Sequence, residues 1–135
     1  MKFVVMVAYE DSAWSNATEA EREEYFDAHH AFERAITQRG RLVAGEALMG
    51  AETATTLRHQ GDQVVTTQGP FAETAEQIGG FYLVDLPDLA TMTEVAALLP
   101  RSYAVEIRGV IEIEGFESTT RESDLPAAAT VGSST

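Results

Sequence analysis

Residues 2–9 read Lys-Phe-Val-Val-Met-Val-Ala-Tyr and are apolar on both alternating sets, with Phe3, Val5 and Val7 on one and Val4, Met6 and Ala8 on the other. A strand of this kind needs cover on both faces. That excludes an isolated surface hairpin and demands structure on either side of a sheet. The run is too short to cross a bilayer. It ends at Glu10-Asp11 with no small-residue cleavage site, so it reads as a buried first strand and not as a signal peptide. A chain of 135 residues suffices for one core.

Residues 10–17 read as a polar loop holding the only tryptophan, Trp14. Thr18-Glu19-Ala20-Glu21 has the form of a capping box, which predicts a helix from there to about Arg39, with Gly40 as the stop. Tyr25, His29, Phe32 and Ile36 then fall on one face, widened by Phe26, while Glu23, Asp27, Arg34 and Gln38 look outward. His29 lies on the core-facing stripe; His30 is rotated about 100° towards the flank. A second strand over 41–48 places Leu42, Ala44, Glu46 and Leu48 on one parity, with Glu46 the lone acid of an apolar set. Residues 54–59 and 63–67 are Thr/Val-rich and read as a hairpin.

Gln68-Gly69-Pro70-Phe71 is a turn, with Phe71 expected to plug it into the core. Gly79-Gly80 precedes a buried strand, Phe81–Val84. Asp88 caps a second helix to about Leu99, with Leu89, Met92, Val95, Ala96 and Leu99 inward, and Pro100 ends it. Residues 104–114 alternate as a half-exposed strand. From Glu117 the composition turns to Ser, Thr, Ala and Gly, which predicts a folded domain over 1–116 and a mobile tail over 117–135. The order β-α-β, hairpin, β-α-β is that of an α+β, ferredoxin-like split βαβ fold with an inserted β-hairpin.

The chain carries 22 Asp+Glu against 9 Lys+Arg, a net charge of −13, and Lys2 is its one lysine. That field opposes nucleic acid and anionic membranes, so neither is expected as a direct partner. With no cysteine there is no disulfide framework, thiolate zinc site or catalytic thiol, which fits a cytoplasmic protein. His29, His30 and His59 never form H-x-x-x-H, and no phosphate-binding glycine loop or serine elbow is present, so no metal or cofactor is expected.

Residues 68–82, Gln-Gly-Pro-Phe-Ala-Glu-Thr-Ala-Glu-Gln-Ile-Gly-Gly-Phe-Tyr, resemble the signature of the DGPF branch of the YCII-related family, which opens on Asp-Gly-Pro-Phe and carries Lys where this chain has Ala75. Ala44–Leu48, Thr53–Arg58, Val84–Asp88 and Val105–Arg108 extend the likeness over roughly residues 1–114. The resemblance implies a ferredoxin-like subunit that dimerises through its sheet into an α+β barrel. Family roles are mostly unassigned; some relatives are read as enzymes with a His/Asp pair, and many occur near alternative sigma factors. In this chain the signature's first Asp is Gln68.

The resemblance and the helical stripe both point to His29 as a candidate acid/base, with Glu46 or Glu73 as candidate carboxylate partners. Tyr9, Trp14, Gln68 and Phe71 are candidates to line a ligand pocket, and Arg58 to anchor an anionic ligand. Two functions fit. One is a cofactor-free enzyme acting on a small organic molecule in a pocket between the first helix and the sheet. The other is a non-catalytic module binding a small ligand or a partner, accessory to a sigma-factor or transcription system. Either is expected as a homodimer, because the sheet face away from the helices also needs cover.

Overall fold

The computed structural model describes residues 1–116, so the expected tail over 117–135 lies outside the described residues. In chain order the elements are β1 Lys2–Tyr9, α1 Asp11–Ser15, α2 Glu19–Arg39, β2 Arg41–Ala47, a 3-10 turn Ala51–Thr53, β3 Thr55–Gln60, β4 Gln63–Gln68, β5 Gln77–Asp85, α3 Leu89–Ala96 and β6 Ala104–Gly109. β2, β5, β1 and β6 form one antiparallel sheet in that order, and β3 pairs with β4 in a separate hairpin. This is the α+β, ferredoxin-like plan.

α2 begins where the sequence says it should. Thr18 accepts from the Glu21 amide at 3.1 Å while Glu21 accepts from the Thr18 amide at 3.1 Å, closing the capping box. It ends at Gly40, where a Cβ would stand 2.0 Å from the Asp85 carbonyl oxygen. Asp88 caps α3 through the Thr91 amide at 2.8 Å. Both helices lie on one sheet face. Phe32 and Ile36 of α2 and Met92, Val95 and Ala96 of α3 bury against Phe3, Val5, Val7, Tyr82 and Val84.

The other face runs in register rows. Arg108, Val4, Leu83 and Ala44 share one row; Glu106, Met6, Phe81 and Glu46 share the next. Val4, Met6, Phe81 and Leu83 are half-buried within one chain.

Several expectations are corrected. The loop after β1 contains α1, a single turn capped by its own backbone. β5 starts at Gln77, so Gly79 and Gly80 lie inside it and not ahead of it. β6 stops at Gly109: its partner β1 begins at Lys2, and Phe3 with Gly109 is the last pair, so Ile111 and Ile113 stand exposed. α3 ends at Ala96 and Leu89 faces solvent, one residue after the cap. Phe26 is exposed and does not widen the buried stripe. The single parity read over 41–48 fails at a bulge between Leu42 and Ala44: Leu42 pairs with Val84 and joins the core, whereas Ala44 pairs with Leu83 on the other face.

Candidate functional site

His29 sits at the middle of α2, half-buried, with both ring nitrogens bonded to phenols. Nδ1 is 2.6 Å from Tyr82 Oη and Nε2 is 2.9 Å from Tyr103 Oη. Tyr82 Oη donates to Glu33 Oε2 at 3.4 Å. The three bonds fix a direction. An ionised carboxylate only accepts, so the single Tyr82 proton goes to Glu33. His29 then donates from Nδ1 into Tyr82, and Nε2 is the lone pair that accepts from Tyr103. The order is Tyr103, His29, Tyr82, Glu33, each donating to the next.

Burial disfavours the imidazolium, and His30 nearby adds to this, so the His29 pKa falls to about 4 and the ring is neutral near pH 7. Burial pushes Tyr82 above the ordinary phenol range, and the Glu33 charge pushes it further. Tyr103 is raised by burial and then by Tyr9 and Tyr25. Glu33 is raised by burial, with His30 and the Tyr82 bond pulling the other way.

An aromatic shell surrounds this row. Tyr103 stacks between Tyr9, 5.1 Å away at 23°, and Tyr25, 5.9 Å away at 12°. Tyr25 shares a hydrogen bond of 3.1 Å with Ser102. Trp14 packs on Tyr25 at 6.3 Å and on Phe26 at 5.5 Å, with the Arg22 guanidinium 4.6 Å over its ring. Gly79 makes the shell possible. It is the extra residue of a bulge between Val7 and Ala8, and a Cβ there would lie 2.2 Å from Tyr9 Oη.

The expected residues do not form one site. His29 and Tyr9 meet at Tyr103, and Trp14 joins them through Tyr25. Gln68 and Glu73 line a cleft of about 370 Å³ with Asp11, Glu52 and Gln77, under the signature loop. Glu46 stands exposed on the far face of the sheet, in the row of Phe81, because the bulge in β2 carries it there. Neither Glu46 nor Glu73 bonds His29, whose nitrogens are both taken by tyrosines. Arg58 is exposed on β3, opposite Val65. Phe71 is 79% exposed: the loop holds its shape through main-chain carbonyls and does not need the ring as a plug.

A second cleft, of about 470 Å³, opens between the first half of α2 and residues 97–102. Tyr25 and Ser102 form part of its wall, and Tyr103 is the next residue in the chain.

Sequence reasoning missed Glu33, Tyr82 and Tyr103. Glu33 had a signal, standing four residues after His29 on the same helix. Tyr82 also had one, sharing parity with Val84 on a strand read as buried, where a tyrosine hydroxyl needs a partner. Tyr103 precedes β6 and had none. Among the described residues no group of three or more His, Asp or Glu is placed to hold a metal ion, and no helix is long and apolar enough to cross a membrane.

Comparison with known proteins agrees with the fold. An uncharacterised protein of Rhizobium meliloti (strain 1021) is 31% identical over 112 residues, covering 80% of this chain and 90% of that protein. The family model for the YCII-related domain matches residues 1–114. The sheet order, the capped helices and this match over nearly all the described residues agree: the chain belongs to the YCII-related family.

Proposed function

We propose that this protein is a cofactor-free enzyme that moves a proton on a small organic molecule, with His29 as the acid/base and Tyr103 as the group that meets the substrate. The observation that carries this reading is the directed row from Tyr103 through His29 and Tyr82 to Glu33. When Tyr103 Oη takes a proton from a substrate, its own proton passes to His29 Nε2. The Nδ1 proton then passes to Tyr82, and the Tyr82 proton to Glu33. The four groups exchange bonds without moving heavy atoms, which is the kind of preorganisation that lowers a proton-transfer barrier. A neutral imidazole is required at the centre, and burial supplies it. The cleft walled by Tyr25 and Ser102 is the proposed entrance, and the working unit is a homodimer joined through the sheet face that carries Val4, Met6, Phe81 and Leu83.

The second reading, a non-catalytic module binding a small ligand or partner in a transcription system, is favoured by one observation. Both nitrogens of His29 are already satisfied inside the chain. Proton exchange tells the two apart. The protein is incubated in D₂O with a panel of enolisable carbonyl compounds, and deuterium uptake is followed by NMR. Uptake that depends on the protein and is lost in His29→Gln and Tyr103→Phe is the expected result. No uptake from any compound, or uptake unchanged in both variants, leaves the binding module as the function.

A further inference from the structure

All 4 tyrosines of the chain and its 1 tryptophan belong to a single contiguous set of rings. Trp14, 39% exposed, is its outer member. From there the rings step inward to Tyr25 at 6.3 Å and to Tyr103 at 5.9 Å, nearly parallel. Tryptophan and tyrosine lose an electron more readily than other side chains that lack sulfur, and this chain has no cysteine to compete. Rings at contact distance exchange an electron easily. A phenol that has lost an electron becomes a strong acid, so the hole settles where a base already holds the proton.

Among Tyr25, Tyr82 and Tyr103, one meets that condition best. Tyr25 shares its hydroxyl with Ser102, which is not a base. Tyr82 receives a proton from His29 and donates to Glu33 over 3.4 Å, so its own proton has the longer way to travel to a base. Tyr103 donates straight into the lone pair of His29 at 2.9 Å. At the outer end, the Arg22 guanidinium 4.6 Å over Trp14 disfavours positive charge resting on the indole, which drives the hole inward.

We propose that Trp14, Tyr25, Tyr103 and His29 form a proton-coupled electron relay that draws one-electron oxidation from the surface and holds it as a neutral radical on Tyr103. The oxidant is an organic peroxyl radical arriving at Trp14. It gains one electron, takes a proton from solvent and leaves as the hydroperoxide. Tyr103 loses that electron through Tyr25 and Trp14, and its O–H bond breaks as the proton passes to His29 Nε2, leaving a phenoxyl radical beside an imidazolium. This goes beyond proton transfer on a substrate and requires no turnover.

The test uses the full chain with photogenerated tris(bipyridine)ruthenium(III) as the one-electron oxidant, frozen after the flash and read by electron paramagnetic resonance. A tyrosyl signal is expected that narrows when the protein is grown with ring-deuterated tyrosine. Tyr103→Phe should remove most of it, and Trp14→Phe should lower its yield severalfold. A signal unchanged in Tyr103→Phe, or one that ignores the deuterated tyrosine, overturns the relay. Should Tyr103→Phe fail to fold, the wild-type radical decides alone. It must show the weak coupling of an exchangeable proton hydrogen-bonded to the phenoxyl oxygen, which vanishes in D₂O, and a radical without one refutes the proposal.

Discussion

The His29 cluster and the signature loop are both dense in polar side chains, yet they use them in opposite ways. Around His29, side chains bond side chains: phenol to imidazole, imidazole to phenol, phenol to carboxylate. In the loop, side chains bond the backbone. Gln68 donates to the Glu52 carbonyl at 3.2 Å, Gln77 to those of Ala72 and Thr74 at 3.0 and 3.1 Å, Thr74 to that of Glu76, and Thr56 to that of Gly69 at 2.8 Å. The first arrangement can move protons. The second fixes the path of a chain that has no strand or helix to fix it. A long signature need not mark the reacting groups; here it marks a shape and, through Gly79, the room that Tyr9 requires.

The contrast breaks most visibly in the core beneath the cluster. Phe32 is fully buried and Phe71 is 79% exposed. Phe32→Ala should cost about 3–5 kcal/mol. Phe71→Ala should stay within about 0.5 kcal/mol. Urea unfolding of both variants checks this, and a large loss in Phe71→Ala would show that the loop is built on its ring.

Acid should act through His29. Its pKa falls from 6.5 to about 4 on folding. Between those values the unfolded chain binds a proton that the folded chain refuses. Stability is therefore complete above about pH 6.5 and is lost as pH falls towards about 4, by an amount on the order of 3 kcal/mol. Glu33, whose pKa is raised on folding, works against this loss as it takes up a proton. His29→Gln should flatten the profile in that window. A profile as steep as the wild type's would place the titrating group elsewhere.

Tyr82→Phe leaves the His29 Nδ1–H and Glu33 without their shared partner and should cost about 1–3 kcal/mol. Gly79→Ala forces the Tyr9 ring off its seat and should cost a similar ~1–3 kcal/mol, with a change in near-ultraviolet circular dichroism that Tyr82→Phe shares only in part. A smaller effect belongs to Gln68 in the loop. Gln68→Asp restores the resemblance to the signature but puts an acceptor where a donor faces the Glu52 carbonyl, at a cost of about 0.5–1.5 kcal/mol. A thermal midpoint that rises instead would mean that the carboxylate finds a better partner in the loop.

The fold was legible wherever one residue settles an element. Thr18 and Glu21 start α2, Asp88 starts α3, and a β1 that is apolar on both sides demands a layered sheet. It was illegible wherever an element depends on its neighbour. Ile111 and Ile113 continue the alternation of β6, but the ladder with β1 ends at Phe3 and Gly109, and the Met1 carbonyl beyond it is taken by the Leu86 amide. Of the site, His29 was legible from its stripe. Its partners were not, because carboxylates were sought from strand parity and from the signature, whereas the groups in reach are two tyrosines from distant segments and a glutamate one helical turn away.

The extra residue in β2 works on the sheet as a frameshift works on a message. Up to Leu42 the strand is read with its apolar side to the helices; after Val43 the same alternation is read from the other side. Deleting Val43 would close the bulge and leave Glu46 opposite Phe81, because Ala44 would then follow Leu42 in plain alternation. Glu46 would turn into the layer that holds Phe32 and Val84 only if β2 kept Val43 and paired it without a bulge. Where its carboxylate points is then set by whether the strand bulges, which neither the count nor the identity of its residues states.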